Sequence, residues 1–172
     1  MSFPDTISVS RTSIYSSRLA EQFLSIKEQG ELVDCKICVG GQTIECHRLI
    51  LAVNSPVLRR MINSNIKEKR NQEIILESNI QPHIMKEILT YMYTKECTIK
   101  TADLKDTLIA CDFLEFLELK KACLEQMPSL FTPSNVLGWL TIAEQLHLDG
   151  IKTICKQMIS FHSMMSLKVK NS

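Results

Sequence analysis

Breaks are scarce in this chain. Five glycines and five prolines in 172 residues leave long uninterrupted stretches, which favours a helix-rich fold. An excess of one charge is also missing: the formal net charge is +1, so no strong field draws the protein to nucleic acid or to an anionic membrane. No apolar run approaches the roughly 20 residues that span a bilayer. No basic N-terminal stretch leads into an apolar segment, so no secretory signal is visible. The seven cysteines, an odd number, are then expected as reduced thiols, in the cytoplasm or nucleus. Missing too are a glycine-rich phosphate loop, a His-Glu-x-x-His pair and a paired-carboxylate signature. Those gaps argue against an enzyme, a cofactor and a small-molecule substrate.

What is present is an ordinary apolar fraction of 45%, enough for one domain with a real core and a modest extension. Residues 1–13 are polar, with Ile7 and Val9 alternating against Thr6, Ser8 and Ser10, and read as an edge strand or a flexible terminus. From 13 to 28 the period becomes helical. Tyr15, Leu19, Phe23 and Ile26 form one stripe, with Ala20 and Leu24 on a second flank and Gly30 suited to the C-cap. Cys35, Ile37 and Val39 alternate against Lys36 and Cys38, and Gly40-Gly41 fits a two-residue hairpin turn into a returning strand over 42–46. A short helix is expected at 47–52. Ser55 should cap the next one, with Pro56 in its first position and Val57, Leu58, Met61 and Ile62 along it.

Lys67-Glu68-Lys69-Arg70 reads as a solvated loop, 73–76 as a short strand, and Pro82 as the start of a helix carrying Ile84, Met85, Ile88, Leu89 and Met92. Helices follow at 102–111 and 117–127. Pro128 and Pro133 mark a boundary, beyond which Ser134 is expected to cap a helix reaching Leu146, and Gly150 to break the chain before a last helix at 151–163.

Two features invite a chemical reading. Cys35 and Cys38 make a Cys-x-x-Cys, with Cys46-His47 eight residues on, a spacing that zinc or redox chemistry could use. Strand geometry weighs against both, because residues three apart on a strand point to opposite faces. A redox pair also favours a helix N-terminus, where thiolate is stabilised. No metal is therefore expected, and the thiols read as small core residues. Of the four histidines, His47 adjoins Cys46, yet neighbouring side chains diverge, so it reads as a hydrogen-bonded structural residue. The stripe on the first helix is more informative. Leaving three or four such side chains in water would forfeit about 1.5–3 kcal/mol each, so they belong in the core or against a partner. Spacing alone does not choose between the two.

The order helix, hairpin, helix pair, strand and further helices resembles the BTB/POZ domain of the Kelch-like type, an α+β fold in which a small sheet is flanked by a helical bundle. The likeness rests on Gln29-Gly30-Glu31-Leu32-Val33-Asp34, Cys46-His47-Arg48, Ser55-Pro56-Val57-Leu58 with Met61-Ile62, Tyr91-Met92-Tyr93-Thr94, Leu108-x-Ala110-Cys111-Asp112, and Leu119-Lys120-x-Ala122-Cys123. Ser134-Asn135 and Ile142-Ala143-Glu144 resemble the start of the BACK region, the 3-box. The likeness covers about residues 14–165. The expected division is 14–127 for the BTB/POZ domain and 128–172 for a partial BACK-like helical extension. Ile44, Leu58 and Ile62 stand where the family usually has aromatics, and Lys95 where it usually has Gly, which marks a divergent member with the same core character.

The resemblance implies a non-catalytic adaptor that dimerises with itself or another BTB protein through its first helix, here Tyr15, Leu19, Phe23 and Ile26. Asp34 and Arg48 would lie near the dimer groove; a buried pair there would favour both charged forms at small net gain. Members that bind cullin-3 carry a hydrophobic-x-Glu motif after the Ser-Pro helix, here Ile66-Lys67-Glu68, with Leu58 and Met61 on the same surface. Such a member would serve a ubiquitin ligase as substrate adaptor. The alternative is a dimerisation module that recruits transcriptional corepressors, or that pairs with or antagonises other BTB proteins. No Kelch repeat or MATH domain is visible, so the chain is expected to be either a fragment or a short natural form.

Overall fold

The first hairpin organises the structure. In the computed structural model, which describes the backbone of residues 5–10, 14–65, 73–76 and 79–170 and the side chains of 5–10, 18–64, 73–76 and 79–162, β2 (Cys35–Val39) and β3 (Gln42–Cys46) pair antiparallel. Gly40 and Gly41 have φ of +52° and +75°, the left-handed pair that a two-residue turn requires. Gly40 has a second reason to lack a side chain, since a Cβ there would stand 2.9 Å from the Pro82 ring. Cys35, Ile37 and Val39 are all buried, which gives β2 its inward face. Its other edge accepts β4 (Glu73–Ile75) in parallel, in the order β3-β2-β4. A parallel partner needs a long crossover. That connection begins with α2 (Arg48–Asn54) and α3 (Pro56–Asn65).

Ser55 joins those two helices and is fully buried. Its Oγ accepts the Leu58 N–H at 3.1 Å, capping α3, and donates to the Leu114 carbonyl at 2.6 Å. α4 (Pro82–Thr94) is the central helix, with Ile84, Met85, Ile88, Leu89, Tyr91, Met92 and Tyr93 buried. It ends at Lys95, a left-handed residue with φ +61°. This non-glycine C-cap is held from its side chain: Nζ bonds Glu118 Oε2 at 2.6 Å and Asn54 Oδ1 at 2.7 Å, and lies 5.7 and 5.8 Å from the Tyr91 and Phe116 ring centres. Those contacts tie α4 to α2 and to α6 (Leu117–Gln126).

At the N-terminal end the strand option is the one that forms. β1 (Thr6–Ser10) pairs antiparallel with β5 (Glu96–Lys100), burying Ile7 and Val9 against Cys97 and Ile99. β5 was not anticipated, although Cys97 and Ile99 alternate with Glu96, Thr98 and Lys100. α1 (Ile14–Glu28) packs on α4, and a single 3-10 turn, Thr101–Asp103, leads into α5 (Leu104–Phe113).

The chain divides into two compact units between Ala122 and Cys123. The second carries α7 (Val136–Gln145) and α8 (Asp149–Lys170), with the Phe131 and Trp139 rings 6.1 Å apart. Two expectations are corrected here. Ser134 does not cap α7: its hydroxyl pairs with Thr132 Oγ1 at 2.8 Å, while Asn135 Oδ1 accepts the Thr132 N–H at 2.8 Å. Gly150 does not break the chain but sits in the first turn of α8; the break falls just before, where His147 has φ +53°. No helix among the described residues is long and apolar enough to cross a membrane.

Candidate interaction surfaces

The α1 stripe is the first surface. Ala20 is buried and Leu24 partly so, which makes theirs the flank that packs inward. Leu19 and Phe23, four residues apart on the other flank, keep 50% and 40% of their surface exposed, and Ile26 is half-buried. Of the two options open from spacing, a closed single-chain core or an outward stripe, the single chain has the outward one. The side chain of Tyr15 lies outside the described residues.

The C-terminal end of α1 is tied to the start of α2 through His47. Its Nε2 meets the Glu31 carbonyl at 2.9 Å and its Nδ1 meets the Tyr93 hydroxyl at 2.7 Å. A carbonyl only accepts, so Nε2 carries a hydrogen, and with that tautomer Nδ1 is the acceptor facing the Tyr93 O–H. The Tyr93 oxygen also accepts the His47 backbone N–H at 3.0 Å, and burial raises its pKa above the usual phenol range. His47 is thus a structural tie, as its sequence context indicated. Beside it, Asp34 Oδ1 accepts the Arg48 N–H at 2.8 Å and the Asp34 carbonyl accepts Arg48 Nε at 3.0 Å. The structure brings this pair together, with Nε–Oδ2 at 3.5 Å, but does not bury it: the side chains are 36% (Arg48) and 49% (Asp34) exposed. Solvent screening then limits the ion pair to about 0–1 kcal/mol.

The third surface surrounds α3. Met61 is half-buried. Leu58 is fully buried, a correction to its place among the contact residues, because position 58 turns toward the Ser55 cap and the core. Ile66 and Glu68 lie outside the described residues. Arg60, one residue before Met61, bonds Glu115 through two nitrogens at 2.7 and 3.4 Å. That hydrogen bond draws the Glu115 carboxyl below its ordinary range and raises Arg60. Exposed Phe113 and Leu117 flank Glu115, with Ile109 one turn earlier. These three were not singled out from sequence, nor were exposed Leu49 and Val53 on α2. Leu49 and Val53 on α2, and Ile109 and Phe113 on α5, are each four residues apart, so that signal was present in the helical period, whereas Leu117 opens the next helix.

None of the seven cysteines is in a disulfide. Cys35 and Cys38 diverge as strand geometry requires: Cys35 is buried, while Cys38 is half-exposed with its sulfur 3.7 Å from Thr43 Oγ1. Burial pushes the Cys97 thiol up to about 12, with Glu87 adding to the rise. Among the described residues no group of three or more His, Cys, Asp or Glu could hold a metal ion.

A hairpin with a parallel third strand, a Ser-Pro helix start bonded to the end of α5, and a central buried α4 define the class of fold. The BTB/POZ domain family matches residues 23–130, and the chain belongs to that family. Within it, the chain is similar to Kelch-like proteins. It is 33% identical to Kelch-like protein 38 of Homo sapiens over 144 residues, covering 84% of this chain and 25% of that protein. Against Kelch-like protein 38 of Mus musculus the identity is 30% over 155 residues, 90% of this chain and 26% of that protein. Kelch-like protein 6 of Homo sapiens is 29% identical over 148 residues, 86% and 23%. The chain therefore spans about a quarter of the length of the curated relatives it matches. Among solved structures, the BTB domain of human gigaxonin superposes with a TM-score of 0.57 at 27% identity, covering 67% of this chain and 94% of that one.

Proposed function

We propose that the chain is a non-catalytic, dimeric interaction adaptor of the cytoplasm or nucleus that binds cullin-3 as part of a ubiquitin-ligase substrate adaptor. The observation that carries the dimer is the outward Leu19–Phe23 stripe on a helix whose other flank is already packed. Two contiguous apolar side chains held in water by a single chain are covered when a second copy brings the same stripe against them. Light scattering should give twice the 19.6 kDa chain mass, and Phe23→Asp should return it to the monomer. A wild-type monomer at micromolar concentration would overturn this part.

Cullin-3 binding draws support from the Kelch-like relatives and from Ile66-Lys67-Glu68 following α3. The Arg60–Glu115 bond sets exposed Phe113 and Leu117 close to the α3 turn that carries Met61, an apolar margin for the same partner. Co-elution with the cullin-3 N-terminal region is expected at micromolar concentration, and Ile66→Arg should abolish it with unfolding unchanged. Absence of a wild-type complex rejects the adaptor reading. The second reading, a BTB module that engages corepressors or other BTB proteins, is favoured by the partly exposed Asp34–Arg48 corner. A pull-down whose partner is lost on Arg48→Ala but kept on Ile66→Arg selects it.

A further inference from the structure

We propose that Cys35 and Cys46 are a vicinal dithiol that hydrogen peroxide closes to a disulfide, making the end rung of the first hairpin a redox-controlled staple. The two residues stand directly opposite each other in the β2–β3 register, and both are buried on its inward face. Cα atoms of such antiparallel partners lie about 4.5–5.5 Å apart, inside the about 4.4–6.8 Å that a disulfide spans. The Cys46 thiol already reaches across the ladder, donating to the Cys35 carbonyl at 3.6 Å. Cys38 points the other way, and Cys97 faces Val9 across the other sheet.

Access comes from position. The Cys35–Cys46 rung is the last of the hairpin, at its open end, where exposed Leu32 precedes the strand with φ +55°. A small oxidant reaches the buried pair when this end opens locally, which also parts the Asp34 N–H from the Cys46 carbonyl 3.4 Å away. The two thiols are also unequal. Turned from the Cys35 carbonyl to the Cys35 sulfur, the Cys46 S–H favours the Cys35 thiolate against the effect of burial, while that contact and burial hold Cys46 protonated.

Cys35 thiolate attacks one peroxide oxygen, the O–O bond breaks, and Cys35 sulfenic acid and hydroxide form. The hydroxide takes the Cys46 proton and leaves as water. Cys46 sulfur then attacks Cys35 sulfur, the S–S bond forms, and the departing hydroxide takes the proton Cys35 first released. Two thiols are oxidised, one peroxide is reduced, and two waters result. Asp34 precedes Cys35 and His47 follows Cys46, so the staple would fix the corner that holds Arg48, Tyr93 and Glu31. The proposal rests on the fold and is independent of the adaptor reading.

The folded 172-residue chain treated with hydrogen peroxide should lose about 2 Da, reversibly with dithiothreitol, and when then denatured should take up two fewer alkyl groups than the untreated chain. Peptide mapping should link Cys35 to Cys46. Cys46→Ala should abolish the link and leave Cys35 trapped as sulfenic acid by dimedone, while Cys38→Ser should behave as wild type. Phenylarsine oxide, which bridges neighbouring thiols, should add once to folded wild type and not to Cys46→Ala. A link through Cys38 or between chains overturns the proposal. So does a folded wild type that keeps both thiols alkylatable after peroxide and takes up no arsenical, a result that stands even if Cys46→Ala fails to fold.

Discussion

Ser55 shows how much one hydroxyl can do when its surroundings leave no substitute. It serves the Leu58 N–H and the Leu114 carbonyl at once, with no exposed surface, so water cannot replace it. Ser55→Ala removes a helix cap and strands a buried carbonyl, at an expected cost of about 2–3 kcal/mol. The check is a lower urea midpoint at unchanged slope. Glu115 makes the opposite case, an exposed carboxylate whose pKa is lowered by its hydrogen bond to Arg60 and then by the guanidinium charge. A depressed carboxyl stabilises the fold above its unfolded pKa, and that contribution fades as pH falls through its folded value. Carboxyl NMR titration should find Glu115 below the ordinary glutamate range, and Arg60→Ala should bring it back up.

At the scale of elements, the hairpin turn separates two glycines that look alike in sequence. Both need positive φ, but only Gly40 faces the Pro82 ring, which is rigid at the start of α4. Gly41→Ala is expected to cost about 1–2 kcal/mol from backbone strain alone. Gly40→Ala should cost clearly more, read as a larger drop in thermal midpoint. The turn itself was legible in advance because Gly-Gly between two alternating runs has few other uses, and α1, α3 and α4 were legible from their periods and caps. β5 was not, since its five alternating residues follow directly on a helix and make too short a run to stand out, and its partner β1 lies far off in the sequence. Ser134 and Gly150 misled for a related reason. Each residue type is a common punctuator, but Thr132 had already engaged Ser134, and the break expected at Gly150 falls at left-handed His147. The interaction surfaces were half legible: periodicity located the α1 stripe, whereas the burial of Leu58 and the exposure of Phe113 and Leu117 depend on which way each helix is turned.

For the whole molecule, a dimer and a monomer differ in how stability responds to concentration. If the Leu19–Phe23 face pairs two copies, the thermal midpoint should climb as protein concentration rises, and Phe23→Asp should flatten that dependence. Scanning calorimetry over a hundredfold range of concentration separates the two. The β1–β5 sheet carries a consequence of another kind, in time. Ser10 and Glu96, bonded at 2.8 Å, are 86 residues apart, so β1 is synthesised long before its partner exists. At about 5–20 residues per second the ribosome takes roughly 4–17 s to cover that gap. Through that interval Ile7 and Val9 have no strand to lie against, while the β2–β3 hairpin, whose strands are joined by two residues, can close within microseconds of emerging. The nascent chain therefore carries β1 as an open strand edge until β5 emerges, after α1 to α4 and the whole β2–β3–β4 sheet have been made.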